Sequence, residues 1–314
     1  MPSHADTTAV AAWNLMIDAV TAEVVRALRA ADADPILLKG PTLSHWLGSD
    51  LTRPYVDCDL LVAPARVDAA EQVLAGLGFR RYLEGIDLEE HWPHPAVAWQ
   101  RGKDELVDLH RTIWGAEAPP EHVWDVLAAR RSSLRLARLD VAILDIAATA
   151  LLLALHAAKH GAAHDRPLAD LNAALRRLDA ETWKEAARLA RDLEAEPALA
   201  AGMRLDPVGR TLADELGLPD RYPTGIALAA GSASHSANTL ERLSSANGAR
   251  ATAAFVTHRV VPPAAWMRAG YPLARRGRAG LVVSYAWRLV AVPVRLIRAL
   301  PTWHRAHKSA PRTP

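Results

Sequence analysis

Leu37-Leu38-Lys39-Gly40-Pro41-Thr42 is followed, 17 residues after its glycine, by Asp57-Cys58-Asp59-Leu60-Leu61-Val62. The first segment reads as a short strand that turns at Gly40 into a helix, with Pro41 placed where a first helical turn tolerates it. The second reads as a buried strand, because Leu60-Leu61-Val62 is the short apolar run that such a strand needs. Side chains alternate across a strand, so Asp57 and Asp59 share a face and Cys58 points to the other, into the core. Two carboxylates side by side on a buried strand repel each other. A cation between them relieves that repulsion, and hard carboxylate oxygens suit magnesium.

Working outward, Thr7 to Ala30 has Val10, Trp13, Ile17, Val20, Val24 and Leu28 at helical spacing. Pro64 to Leu77 reads as a helix closed by Gly78, and Phe79 to Leu83 as a third strand. Val97–Gln100 and Glu105–Leu109 read as two strands joined by Arg101-Gly102-Lys103-Asp104. The expected fold class is α+β: a mixed sheet with flanking helices, then a mostly helical domain. Pro119-Pro120 marks the expected boundary. Residues 1–118 are then the core with its N-terminal helix, 119–230 a helical domain, and 231–314 a mobile loop, a basic amphipathic helix and a tail. Asp140 to Lys159, Leu168 to Leu178, Glu181 to Leu193 and Pro207 to Leu216 read as helices. Gly231 to Gly248 is rich in Ser, Ala, Asn and Gly and reads as a mobile loop. Gly280 to Leu300 reads as a helix bent near Pro293, with disorder from Pro301.

Half of the 314 residues are apolar, enough for a large core. A single cysteine, Cys58, allows no internal disulfide, and the expected compartment is the cytoplasm. No secretory leader is read at Met1 to Val10, and no run of about 18 uninterrupted apolar residues is found, so no transmembrane segment is expected. The net charge of +2 hides an asymmetry. Residues 242–314 hold 13 Lys and Arg and no acid, whereas residues 1–241 hold 24 basic and 35 acidic residues, a net −11. Such a tail docks on its own acidic body or on phosphate, with weak contact to a membrane surface as a third reading. Arg288 and Arg295 fall on one face of its helix, and Leu281, Tyr285, Leu289, Val292 and Leu296 on the other. Nucleic acid is an unlikely partner, because no basic motif interleaved with aromatic residues occurs.

A third carboxylate, Asp108, lies in Val107-Asp108-Leu109-His110, between apolar neighbours. Three acids on adjacent strands can hold two divalent cations about 3.5–4 Å apart, the arrangement that clamps attacking and leaving oxygens in phosphoryl chemistry. Lys39 and Gly40 supply the complement: a backbone that can approach phosphate, and a positive charge. A nucleoside triphosphate is the natural ligand of such a pair. His110 is read as pointing away from Asp108. His156 and His160, four apart on a helix, have the spacing of a zinc pair but lack a third ligand, so they are read as lining the cleft or as core.

These residues, Leu38-Lys39-Gly40, Arg53, Asp57-Cys58-Asp59-Leu60-Leu61-Val62 and Asp108-Leu109-His110, resemble the uncharacterised bacterial nucleotidyltransferase family of the DNA polymerase β-like superfamily. Leu155-His156-Ala157-Ala158-Lys159-His160 and Asp170 also resemble its helical half. Where the superfamily usually has Gly-Ser, this chain has Gly40-Pro41, and Thr42 or Ser44 is the candidate replacement for the serine hydroxyl. The resemblance implies a polymerase-β-like core, with Asp57, Asp59 and Asp108 as catalytic metal ligands for two Mg²⁺ ions, Mn²⁺ being the alternative. It implies that Lys39, Gly40, Thr42, Ser44 and Arg53 bind nucleotide, and that His156, Lys159, His160 and Asp170 line the cleft. The implied reaction moves a nucleoside monophosphate from a triphosphate, ATP first, to an acceptor hydroxyl or phosphate. The acceptor is a small molecule, a peptide (natural-product tailoring) or a protein side chain (AMPylation). A non-catalytic nucleotide-binding module is the alternative.

Overall fold

The computed structural model describes residues 4–48, 54–82, 95–244, 257 and 260–311. They fall into two compact units, one within residues 4–82 and 95–220 and the other within residues 221–311. In the first, α1 (His4–Ala30) precedes β1 (Ile36–Leu37), α2 (Pro41–Leu47) and β2 (Cys58–Leu61). A 3₁₀ turn and α3 (Val67–Gly76) lead to β3 (Arg80–Arg81), β4 (Ala96–Arg101) and β5 (Glu105–His110). Then come α4 (Pro120–Ala128), β6 (Arg131–Leu136), β7 (Leu139–Leu144) and five helices: α5 (Ile146–His160), α6 (Asp165–Arg177), α7 (Ala180–Asp192), α8 (Glu196–Met203) and α9 (Pro207–Glu215).

The seven strands form one mixed sheet in the order β3-β4-β5-β2-β1-β7-β6. Strand β2 is antiparallel to β1 and parallel to β5, and β1 is parallel to β7. Helix α1 places Val20, Val24, Val25 and Leu28 on one face, at helical spacing. That face packs with Leu37, Leu60, Val107 and Ile143 of four different strands. Cys58 is buried in the same cluster, on the side of β2 away from the acids.

Two corrections follow. The expected boundary at residues 118–119 lies inside the first unit, because β6 and β7 return to the sheet beyond Pro119-Pro120 and β7 pairs with β1. The apolar run expected as a helix from Asp140 is a strand up to Leu144, and the helix starts only after Asp145. Asp145 causes the switch: its carboxylate accepts the Ala148 N–H as an N-cap.

Helix α5 is buried along almost its whole length and packs closely on α8, both rich in alanine. A Cβ at Gly202 of α8 would come within 2.0 Å of the Ala154 carbonyl oxygen of α5. Gly202→Ala is therefore expected to force the helices apart and destabilise the unit by about 1–3 kcal/mol. Calorimetry should show a Tm lower by about 5 °C. An unchanged Tm would refute the close approach.

The second unit holds α10 (Thr224–Ala230), α11 (His235–Ser244), α12 (Ala264–Gly270), a 3₁₀ turn at Pro272–Arg275, and α13 (Gly277–Ser309). Part of the expected mobile loop is helix α11, which Ser234 opens by accepting the Ala237 N–H on its hydroxyl. The chain expected to be disordered from Pro301 continues α13 to Ser309. Trp303 and Ala306 pack against Leu228, Ala237 and Ala299, and the Trp303 indole donates to Glu241 at 2.8 Å. Arg288, expected on an open basic face, is buried. Its guanidinium lies 4.6 Å from the Trp266 ring centroid and donates to the Tyr271 hydroxyl at 3.0 Å.

Candidate active site

The site is built on the middle of the sheet. Pairing of β2 with β5 sets Asp59 directly beside Asp108, and Leu61 beside His110. With a period of two, Asp57, Asp59, Asp108 and His110 therefore share one face. His110 was expected to point away from Asp108. It lies two residues further along the same strand, and its Nε2 sits 3.0 Å from Asp59 Oδ1.

Three elements hold this strand pair in place. Helix α1 grips the approach to β2: the Trp13 indole donates to the Tyr55 carbonyl at 2.9 Å, and the Tyr55 amide donates to Asn14 Oδ1 at 3.3 Å. The Tyr55 hydroxyl donates to Asp18. The turn after β1 brings in Lys39, whose Nζ lies 2.8 Å from Asp59 Oδ1. Gly40 has φ 74° and ψ −117°, a left-side conformation that a side chain would strain, and Tyr55 lies against it. Helix α2 is braced by the Trp46 indole donating to the Leu144 carbonyl at 3.0 Å, and by Arg177 of α6 donating to the Leu47 carbonyl.

Asp59, Asp108 and His110 bring one ligand atom each to within 4.8 Å of one another. They form the one such group of acids and histidines among the described residues. Asp57 stands beside them and is electrostatically tied to Asp59 and Asp108. Burial, then the Asp59 charge, pushes Asp57 up to about 6. Burial and the same charge also raise Asp108. Burial opposes ionisation of Asp59 too, but the Lys39 charge and the His110 and Lys39 hydrogen bonds outweigh it and hold Asp59 well below the carboxylate range. Burial lowers and Asp59 raises Lys39, and the attraction wins. Three acids crowd around one paired lysine. Two carboxylates and an imidazole at this spacing fit a divalent cation, the oxygens suiting Mg²⁺ and the imidazole admitting Mn²⁺.

The C-terminal end of α5 supplies His156, Lys159 and His160. Burial, then the Lys39 charge, lowers His156 to about 2, and burial, then Lys159, lowers His160 to about 4. Both imidazoles are thus neutral near pH 7, with ring centroids 4.5 Å apart. Desolvation and the like charge of Lys39 lower Lys159. Asp170 is buried on α6. Thr42 is buried with its hydroxyl on the Leu38 carbonyl at 3.3 Å, whereas Ser44 is partly exposed. Arg53, with His91 and His94, lies outside the described residues. Arg166, in the first turn of α6, was missed by sequence reasoning; its charge lowers the Asp57 pKa. Nothing in local spacing singles it out, since α6 reaches Asp57 only through the tertiary fold.

An acid cluster of a geometry that could hold a cation thus lies beside a lysine–glycine turn on a mixed sheet. The chain belongs to the family described as uncharacterised nucleotidyltransferase, whose profile matches residues 4–206. It is therefore a transferase of nucleotidyl groups by family. Two solved structures are similar to it. One is the solution structure of the antibiotic-resistance factor ANT(2'')-Ia, with 19% identity and a TM-score of 0.40, covering 57% of this chain and 95% of that one. The other is an antigenic nucleotidyltransferase-like protein from Paracoccidioides brasiliensis, with 15% identity and a TM-score of 0.34, covering 57% and 92%. No curated protein matches the chain.

Proposed function

We propose that this chain is a metal-dependent nucleotidyltransferase that moves a nucleoside monophosphate from a triphosphate, ATP first, to an acceptor hydroxyl or phosphate. The observation that carries the reading is the group formed by Asp59, Asp108 and His110, with Asp57 on the same face. Asp57, Asp59 and Asp108 would hold two Mg²⁺ or Mn²⁺ ions, and His110 would keep the Asp59 carboxylate oriented through its Nε2. When bound, the ions supply charge neutralisation at the α-phosphate and at the leaving pyrophosphate. Lys39 and the Gly40 backbone receive the β- and γ-phosphates, with Ser44 and Arg53 as further nucleotide contacts. Asp108, raised by its burial and by Asp59, is suited to accept the proton of the acceptor hydroxyl at its carboxylate. The neutral His156 and His160, with Lys159 and Asp170, would line the acceptor side.

The acceptor is a small molecule, a peptide natural product or a protein side chain. The test is transfer of label from α-labelled ATP, with each divalent metal in turn, into an extract resolved by mass spectrometry. Labelled product that needs metal and vanishes in the Asp57→Ala, Asp59→Ala double variant is the expected result. Equal labelling by variant and wild type sinks the reading. Nucleotide binding without metal dependence or transfer would favour the non-catalytic module.

A further inference from the structure

Helix α13 is the longest among the described residues, and only part of its surface is used inside its own unit. Gly280, Ser284, Arg288, Val292 and Ala299 are buried, facing α10, α11, α12 and the 3₁₀ turn before it. A Cβ at Gly280 would come within 2.1 Å of the Leu273 carbonyl oxygen, so the start of the helix is set tightly on that turn. The other side is apolar and open. Val282, Trp287, Val290, Val294, Ile297 and Leu300 are between 40 and 66% exposed. At 100° per residue these positions, with Ala286 and Pro293 between them, fall within one stripe that no charged residue enters. The stripe runs for roughly 27 Å at 1.5 Å per residue. An exposed apolar patch on the order of several hundred Å² marks an interaction surface rather than ordinary exposure.

The charges around the stripe select its occupant. Arg275, Arg276 and Arg278 lie at one end, Arg305 and Lys308 at the other, and Arg298 beside it, whereas Arg295 falls on the side of Arg288, away from the stripe. No acid occurs after Glu241. A second copy of the same helix would bring cations against cations in either orientation. An anionic lipid surface meets both the apolar stripe and the basic flanks. By length and composition α13 could cross a bilayer. Its opposite face, however, is committed to protein, with Arg288 held between Trp266 and Tyr271.

We propose that the open face of α13 is a membrane-docking surface, on which the helix lies along an anionic bilayer with its apolar stripe in the acyl boundary and Arg298 and the basic residues at its two ends on the headgroups. The inference concerns the second unit and does not depend on the reaction assigned to the first.

The full-length protein should float with vesicles containing about a third phosphatidylglycerol, and much less with pure phosphatidylcholine or in high salt. Val290→Glu with Ile297→Glu alters two exposed positions and should leave the melting curve unchanged while reducing partition at least about tenfold. Cys58 is buried, so a fluorophore on Val294→Cys reports from one site and should shift to the blue on anionic vesicles alone. Failure to float, or equal flotation of the double variant, overturns the proposal. So does a wild-type dimer that the double variant makes monomeric, since the face then belongs to a second copy. Release by detergent but not by high salt would show a spanning helix and overturn the in-plane reading.

Discussion

Asp59→Asn is expected to lower nucleotidyl transfer by at least about a thousandfold, with neither Mg²⁺ nor Mn²⁺ restoring it. Asp59 is 2% exposed and is the point where Lys39 and His110 converge, at 2.8 and 3.0 Å. The amide keeps the shape and removes the charge that both partners face. A cation bound there loses its most strongly ionised ligand, because Asp59 alone of the three acids is held below the carboxylate range. The same change should destabilise the protein by about 3 kcal/mol, since it strands a partly buried lysine. Steady-state transfer and denaturant melts measure the two effects separately. Activity within about tenfold of wild type would remove Asp59 from the reaction.

Asp57→Asn should have a similar effect on transfer and the opposite effect on stability. Asp57 titrates at about 6 in the folded chain, against 3.8 for an ordinary aspartate. A carboxyl raised by folding binds its proton more tightly in the native state than in the unfolded one. Its contribution to stability is complete below about pH 4 and is lost as pH rises through about 6. At neutral pH the metal-free wild type holds an ionised Asp57 against burial and against Asp59, whereas the asparagine variant does not. The variant is therefore expected to be more stable by on the order of 1–2 kcal/mol near pH 7 in chelator, and the gap should close toward pH 4. Divalent metal should stabilise wild type more than the variant, which keeps Asp59, Asp108 and His110 but lacks the fourth ligand. Metal affinity of wild type should fall below about pH 6, where protons compete for Asp57. A variant less stable than wild type in chelator at neutral pH would show that Asp57 is not strained by its neighbours.

The contrast between two acids two residues apart could be read only in part from the sequence. Their shared face and the turn at Gly40 were legible because alternation and glycine geometry are local. The unequal ionisation was not, since it depends on Lys39 and His110 arriving from other elements. His110 was misjudged although the same alternation, applied to Asp108, puts it on the acid face. The β6–β7 hairpin was missed for a different reason. Its two-residue turn is Ala137-Arg138, both with positive φ (43° and 65°), where Asn-Gly or Asp-Gly would signal the turn. Without that signal, Val141, Ile143 and Leu144 merged with the apolar run of α5. In α13 the prolines suggested a bend and an end. Pro293 and Pro301 lie on the exposed side of the helix, away from its packing contacts in the unit, and the helix continues through both.

Strand β2 is fourth of seven and hydrogen-bonded on both flanks; the Leu38 N–H beyond β1 still donates to Asp59 O, and the pairing of β2 with β5 continues past its end through Val62 N–H to His110 O. An interior strand of this kind opens only when most of its sheet opens. Asp59 and Asp108, paired across β2 and β5, therefore sit where the sheet is expected to open least, which fixes their backbone separation. In the proposed reaction, adjustment to the acceptor would then fall to side-chain rotation and to the helices around the site, so that cation spacing and acceptor choice could vary independently.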